Sequence, residues 1–268
     1  MTATLALADW REALLPLARQ AGEAVMQIYA SDFAVRGKAD ASPVTAADEL
    51  AEAIILAGLA TIAPGIAVVA EEQVAAGHMP DVGDCFWLVD PLDGTREFVN
   101  RNGEFTVNIA LIEHGQPVLG VVLVPVTGRL YAGAQGLGAF EVGEQGRVAI
   151  STRAIPAEGL TVLASRSHGD APALDAWLAA QRARGQAIAG VRSAGSSLKL
   201  CLLAAGQADA YARFGRTMEW DIAAGHAVLA AAGGQVCDLD GSILRYGKPG
   251  FENPHFVAWG RCGAESLR

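Results

Sequence analysis

No apolar run in this 268-residue chain approaches the ~20 uncharged residues that a bilayer-spanning helix requires. No basic stretch leading into a long apolar core stands at its start, so no secretory signal is expected. Cysteine is sparse. Cys85, Cys201, Cys237 and Cys262 are scattered, form no C-x-x-C pair and match no zinc spacing, which points to free thiols in a reducing, cytoplasmic setting. Cations are outnumbered as well: 20 Lys and Arg face 29 Asp and Glu, a net charge of −9. That balance disfavours a nucleic-acid polymer as partner, because phosphate backbones are bound by a surplus of positive charge. Charged tracts and low-complexity segments are also missing, and an apolar content of 51% suits a globular chain with a sizeable interior. The sequence does not fix an oligomeric state.

The charge is unevenly spread. Residues 1–150 carry 8 Lys and Arg against 19 Asp and Glu, whereas residues 151–268 carry 12 against 10. An acidic half suits metal ions, and a slightly basic half can meet an anion. Apolar positions Leu14, Leu17, Ala18, Ala21, Val25 and Ile28 recur at helical spacing and predict a helix over 5–30. A polar loop with Arg36, Lys38, Asp40 and Pro43 follows, and Thr45 is placed to cap a second helix over 46–61. Strands are expected at 66–70, 86–89, 105–113, 117–124 and 129–134, with turns at His114-Gly115 and Thr127-Gly128. Beyond a boundary somewhere in 135–160, which holds a further strand, strands at 160–165, 187–192 and 208–213 alternate with helices at 170–184, 195–206 and 220–232. The expectation is an α/β protein of two lobes: 1–150 a metal-binding lobe with an antiparallel sheet, and 151–268 a smaller α/β lobe. Gly133, Gly136 and Gly138 do not make a dinucleotide fingerprint, since no helix follows to offer its N-terminus to a phosphate.

The chemistry concentrates in Trp87-Leu-Val-Asp90-Pro-Leu-Asp93-Gly-Thr95. An apolar segment delivers two carboxylates, three residues apart, into a turn where Pro91 fixes φ and Gly94 permits close approach of a ligand. Two such anions repel in a dry cleft, and a hard divalent cation resolves the conflict; oxygen donors without Cys or His favour Mg²⁺ or Mn²⁺ over zinc. A solvated Asp-Pro turn is an equal reading of those residues alone. Glu71 ends one strand and Asp90 another, so adjacent strands could bring both to one sheet edge. Asp221 opens a helix, where the dipole favours anions, and Asp48 lies in the first turn of the second helix. Each also has a plain structural reading, as strand end, cap or dipole partner. Their joint occurrence shifts the weight towards a metal site.

Glu71-Glu72, Asp90-Pro-Leu-Asp-Gly-Thr95 and Trp220-Asp221 before a small-residue helix together resemble the inositol monophosphatase superfamily, whose members are magnesium-dependent, lithium-sensitive phosphatases. Further stretches are similar to its bacterial 3′(2′),5′-bisphosphate nucleotidase branch: Lys38-Ala-Asp-Ala-Ser-Pro-Val-Thr-Ala-Ala-Asp48, Glu97-Phe, Asn102-Gly-Glu-Phe-Thr-Val-Asn-Ile-Ala110, Ser165-Arg-Ser-His168, Gly195-Ser-Ser-Leu-Lys199 and Trp220-Asp-Ile-Ala-Ala-Gly-His226. The resemblance implies a layered αβαβα fold. It implies one Mg²⁺ held by Glu71, Asp90 and the Leu92 carbonyl, and a second held by Asp90, Asp93 and Asp221. Asp48 would serve a third, weaker metal or its water. Thr95 with Glu71 would orient and deprotonate the attacking water, and the amides of Gly94 and Thr95 would cradle the phosphate.

Substrate choice turns on the second lobe. Inositol phosphatases share the likeness through Asp209-Ala-Tyr211 but place a Glu where this chain has Arg213. A Glu accepts hydrogen bonds from sugar hydroxyls, whereas Arg pairs with phosphate through a planar fork. Arg213, Lys199, Ser196 and His168 match nucleotide-binding positions of the branch. The implied reaction is hydrolysis of adenosine 3′,5′-bisphosphate to AMP and phosphate, with 3′-phosphoadenylyl sulfate a second substrate, clearing a by-product of sulfate assimilation. An inositol or sugar phosphatase with the same metal site, or a non-catalytic binding module, are the alternatives. Related bacterial proteins attach peripherally to the inner membrane, yet the sequence has no basic amphipathic helix to explain such attachment.

Overall fold

The computed structural model describes residues 3–31, 35–37, 43–166 and 170–261. The chain begins with helix α1 (Ala3–Tyr29). Of the stripe read from the sequence, Leu14, Leu17, Ala18, Ala21 and Val25 are buried and Ile28 is half-buried. A short hairpin of β1 (Val35–Gly37) and β2 (Pro43–Thr45) leads into α2 (Ala46–Ile62). Lys38, Asp40 and the Thr45 side chain with its expected cap lie outside the described residues.

Next come β3 (Ala67–Ala70), α3 (Glu71–Ala75), β4 (Cys85–Asp93), α4 (Thr95–Val99), β5 (Thr106–Glu113), β6 (Gln116–Val124), β7 (Arg129–Ala134), β8 (Gly138–Gly143) and β9 (Gly146–Ile150). The seven strands β3 to β9 form one sheet in chain order, with β3 and β4 parallel and every other pair antiparallel. Strand β4 is longer than the sequence suggests. It runs through Pro91 and Leu92 to Asp93, because its pairing with β5 resumes after a one-residue irregularity. Gly136 and Gly138 sit in the β7–β8 hairpin, as the rejection of a dinucleotide motif requires.

The second half supplies β10 (Leu160–Ser165), α5 (Ala171–Ala183), β11 (Ile188–Ala194), α6 (Leu198–Ala204), β12 (Ala210–Arg213), α7 (Glu219–Ala231), β13 (Gln235–Asp238) and β14 (Phe256–Trp259). The sheet order is β11-β10-β12-β14-β13, parallel about β10 and antiparallel about β14.

Five layers result. Helices α1 and α2 cover one face of the large sheet around Trp87, Ile109, Leu119 and Val121. Helices α6 and α7 cover its other face and also meet the small sheet, in a single cluster that joins Leu88, Ile112 and Val122 to Leu203, Val228, Tyr211 and Phe256. Helix α5 closes the far side of the small sheet through Leu178 and Trp177. The fold is therefore a layered α/β sandwich, with α7 in its middle.

That central helix needs glycine beneath it. A Cβ on Gly120 would strike the Ala224 carbonyl, and one on Gly133 would lie 2.7 Å from the Val228 Cα. Bare backbone at those two strand positions lets α7 settle directly on the sheet. No helix among the described residues is long and apolar enough to cross a membrane.

Candidate active site

Register builds the acid side of the site. Strands β3 and β4 run parallel with Ala70 opposite Val89, so the next residues in each, Glu71 and Asp90, emerge side by side at one sheet edge. Helix α3 starts at Glu71 with no side-chain cap of its own. The buried Glu52 carboxylate on α2 supplies the acceptor, taking the Glu72 N–H at 2.8 Å. Burial raises the Glu52 carboxyl to about 7.

The irregularity in β4 re-aims the Asp pair. Asp90 is opposite Asn108 and Asp93 opposite Thr106, so two residues on one strand, Pro91 and Leu92, face one on the other, Val107. The extra residue falls at Pro91-Leu92, where Pro91 has no N–H to offer a ladder. The Leu92 N–H turns back to Asp90 Oδ1 at 3.0 Å. Gly94 then takes the left-handed conformation (φ 95°) and opens the five-residue helix α4. Space there is tight: a Cβ would meet the Glu97 carboxylate at 3.3 Å and the Glu104 carbonyl at 3.4 Å.

Asp221 arrives from the other half as the third residue of α7. Its Oδ2 accepts the Met218 N–H at 2.9 Å, so one carboxylate both closes the helix start and faces the cleft. Glu71, Asp90, Leu92, Asp93, Gly94, Thr95 and Asp221 all line one cleft of about 360 Å³. Their charges are felt mutually. Burial first, then the charges of Asp93 and Glu71, hold the Asp221 carboxyl well above the usual range. Burial lifts Asp93 to about 6 against the pull of Lys199 and of the Ser197 N–H. Among the described residues, no three acid, histidine or cysteine side chains are drawn into a closed ligand cage. The donor set itself is all oxygen, with Asp90 buried and Glu71, Asp93 and Asp221 half-buried, which suits a hard divalent cation.

The same cleft also carries cations. Ser196, Lys199 and Arg213 line the cleft as the sequence anticipates, joined by Arg96 and Arg216. Two of these cations are already tethered to backbone. Lys199 Nζ donates to the Ser196 carbonyl at 2.6 Å and the Ala194 carbonyl at 3.2 Å, and burial brings its pKa down to about 8. The Arg213 guanidinium donates to the Arg216 carbonyl at 2.8 Å. His168 lies outside the described residues. Asp48 is fully buried in the first turn of α2, and the structure does not bring it to the cleft wall.

Sequence reasoning misses Ser197, whose N–H donates to Asp93 Oδ2 from 104 residues away. It names Glu97 without giving it a role, and passes over Arg216 on the cleft wall and Glu52 behind it. Glu52 follows Asp48 by four residues on one helix face, a signal that could have marked it.

The sequence matches the inositol monophosphatase family over residues 6–266. The chain belongs to that family. Within it, the chain is 48% identical to the 3′(2′),5′-bisphosphate nucleotidase CysQ of Escherichia coli O157:H7, over 90% of this chain and 95% of the relative. It is 30% identical to inositol monophosphatase 1 of Xenopus laevis, over 88% and 85%. Among solved structures, CysQ of Bacteroides thetaiotaomicron, a bacterial member of the family, superposes with a TM-score of 0.77 at 36% identity, covering 97% of each chain. Family membership places the five-layered fold and the acid-lined cleft in one setting.

Proposed function

We propose that this chain is a 3′(2′),5′-bisphosphate nucleotidase that hydrolyses the 3′-phosphate of adenosine 3′,5′-bisphosphate, giving AMP and phosphate, and that it acts likewise on 3′-phosphoadenylyl sulfate. One observation carries the reading: a single cleft is lined both by the carboxylates Glu71, Asp90, Asp93 and Asp221 and by the cations Lys199, Arg213 and Arg216. A substrate with two separate phosphates answers both sets. Similarity to the CysQ nucleotidases supports the same choice.

Family members are metal-dependent phosphatases, generally with Mg²⁺. Here Glu71, Asp90 and the Leu92 carbonyl would hold one Mg²⁺, and Asp90, Asp93 and Asp221 a second, with Mn²⁺ as a substitute. Asp48, away from the cleft wall, would serve a third only through water. When bound, the metals polarise the phosphoryl oxygens and lower the pKa of the attacking water.

The remaining work falls to the chain. Thr95, whose hydroxyl lies 3.5 Å from the Leu92 carbonyl, and Glu71 would orient that water and take its proton. The Gly94 and Thr95 amides would hold the phosphoryl oxygens as charge builds on them. Arg213, Lys199, Ser196 and His168 would bind the nucleotide and its second phosphate. Lys199 and Arg213 would act from fixed positions, since backbone carbonyls already orient them.

The test compares Mg²⁺-dependent phosphate release from adenosine 3′,5′-bisphosphate and from inositol 1-phosphate. A strong preference for the bisphosphate is expected. Preference for inositol 1-phosphate would make the chain an inositol phosphatase, and no turnover of either, with nucleotide still bound, would make it a binding module.

A further inference from the structure

Glu104 stands just before β5 in the first half of the chain, yet its side chain is spent on the second half. Its oxygens receive Arg166 Nη2 at 2.9 Å and Arg166 Nε at 3.1 Å, a two-pronged pair. Oε2 also accepts the Gly195 N–H at 2.7 Å. Arg166 extends the link to the Ser193 carbonyl at 3.4 Å. The turn that presents Glu104 is itself fixed, because the Glu104 N–H donates to Asn102 Oδ1 at 2.9 Å.

Backbone meets backbone at this seam. A Cβ on Gly195 would lie 2.5 Å from the Glu104 carbonyl and 2.8 Å from the Glu104 Cβ, so only glycine fits. The residues that follow are the nucleotide wall. Ser196 is held at a positive φ of 42°, Ser197 donates its N–H to Asp93, and Lys199 folds back on the carbonyls of Ala194 and Ser196. Neither Glu104 nor Arg166 lines the cleft.

We propose that Glu104 is a positioning residue which fixes the spacing between the acid wall and the nucleotide wall, with Arg166 as the clamp that holds it. The inference rests on the bisphosphate reading above. Glu104 does not touch substrate. It sets where Ser196 and Lys199 stand relative to Asp93, and so governs substrates that need both walls at once. A small aryl phosphate needs the acid wall alone and is insensitive to that spacing.

Three single variants, E104A, E104Q and R166M, test this with adenosine 3′,5′-bisphosphate and p-nitrophenyl phosphate at saturating Mg²⁺. E104A removes every bond of the carboxylate. It raises KM for the bisphosphate about tenfold or more, the effect of losing charge-assisted hydrogen bonds, while kcat stays within about threefold. On p-nitrophenyl phosphate, kcat/KM stays within about threefold of wild type, because the Glu104 carboxylate bonds Arg166 and Gly195 and the Ser197 N–H still ties Asp93 to the segment. E104Q keeps an acceptor for the Gly195 N–H, and R166M leaves the carboxylate on it, so both lie between E104A and wild type.

An unmoved KM for the bisphosphate in E104A overturns the proposal. So does an equal loss on both substrates, which a merely structural role would give. If E104A does not fold, unchanged KM values in both E104Q and R166M overturn it instead. A wild type with no preference for the bisphosphate removes the reading beneath the proposal; a wild type with that preference and an E104A whose KM for the bisphosphate is unmoved removes the positioning role alone.

Discussion

The two walls of the cleft handle buried charge in opposite ways. The basic wall neutralises its cations locally: Lys199 and Arg213 point at backbone carbonyls and Arg216 pairs with Glu252 at 3.1 Å. On the acid wall burial outweighs the relief: Asp221 stays raised although it accepts the Met218 N–H and feels Arg213, and Asp93 stays raised against Lys199 and the Ser197 N–H. A wall whose charges are already satisfied serves to orient a ligand. A wall of crowded anions is costly to the folded chain, and a cation relieves it.

The sharpest way to break this contrast is Asp93→Asn. Phosphate release should fall by about a thousandfold or more, since a metal site supplies several kcal/mol of transition-state stabilisation and each 1.36 kcal/mol is tenfold. The metal-free variant should nonetheless melt at a higher temperature than wild type at pH 8, where Asp93 is ionised and buried. Steady-state kinetics and a thermal melt check both, and a lower melting temperature would mean the acid wall is not under charge strain.

On the opposite wall, Arg213→Glu should act through binding. KM for the bisphosphate should rise by about a hundredfold, as for breaking a buried charge pair and adding a repulsive charge. Turnover of p-nitrophenyl phosphate should change little. Unaltered kcat/KM for the bisphosphate would take Arg213 out of the site.

The smallest effect sharpens the acid side. Glu52 and Asp93 have folded pKa values of about 7 and about 6, above those of free carboxyls. Such groups stabilise the fold below the unfolded value, and that contribution is lost as pH rises through the folded one. The metal-free melting temperature should therefore fall between pH 5 and pH 8. Glu52→Gln keeps an acceptor for the Glu72 N–H and cannot ionise, so it should flatten that slope. A slope as steep as wild type's would remove Glu52 from the account.

The acid corner was legible because its signal is local. Two carboxylates, a proline and a glycine interrupt an apolar run; alone they read equally as a solvated turn, and Glu71, Asp221 and the family likeness shift the weight. Helices α1, α2, α5 and α7 were legible from apolar spacing or from caps and glycine stops. Helices α3 and α4 were not, being five residues long and too short to repeat the ~3.6-residue period that reveals a helix. Strands β13 and β14 have four residues each among turns, too few to alternate visibly. Ser197 on Asp93, Glu104 on Gly195 and Glu52 on Glu72 escaped for another reason. Each is a side chain or amide serving a distant partner, and no local pattern encodes a partner 20 to 104 residues away. Gly133 shows the converse: visible as a glycine, its use became plain only once α7 lay across it.

Helix α7 is flanked by both sheets and also delivers Asp221. Neither half can open without baring that helix, so its amides should be among the slowest to exchange with solvent. If Asp221 holds metal as proposed, a partly opened molecule forfeits that ligand at once and releases no phosphate, and catalytic output reports directly on the fraction of chains that are whole.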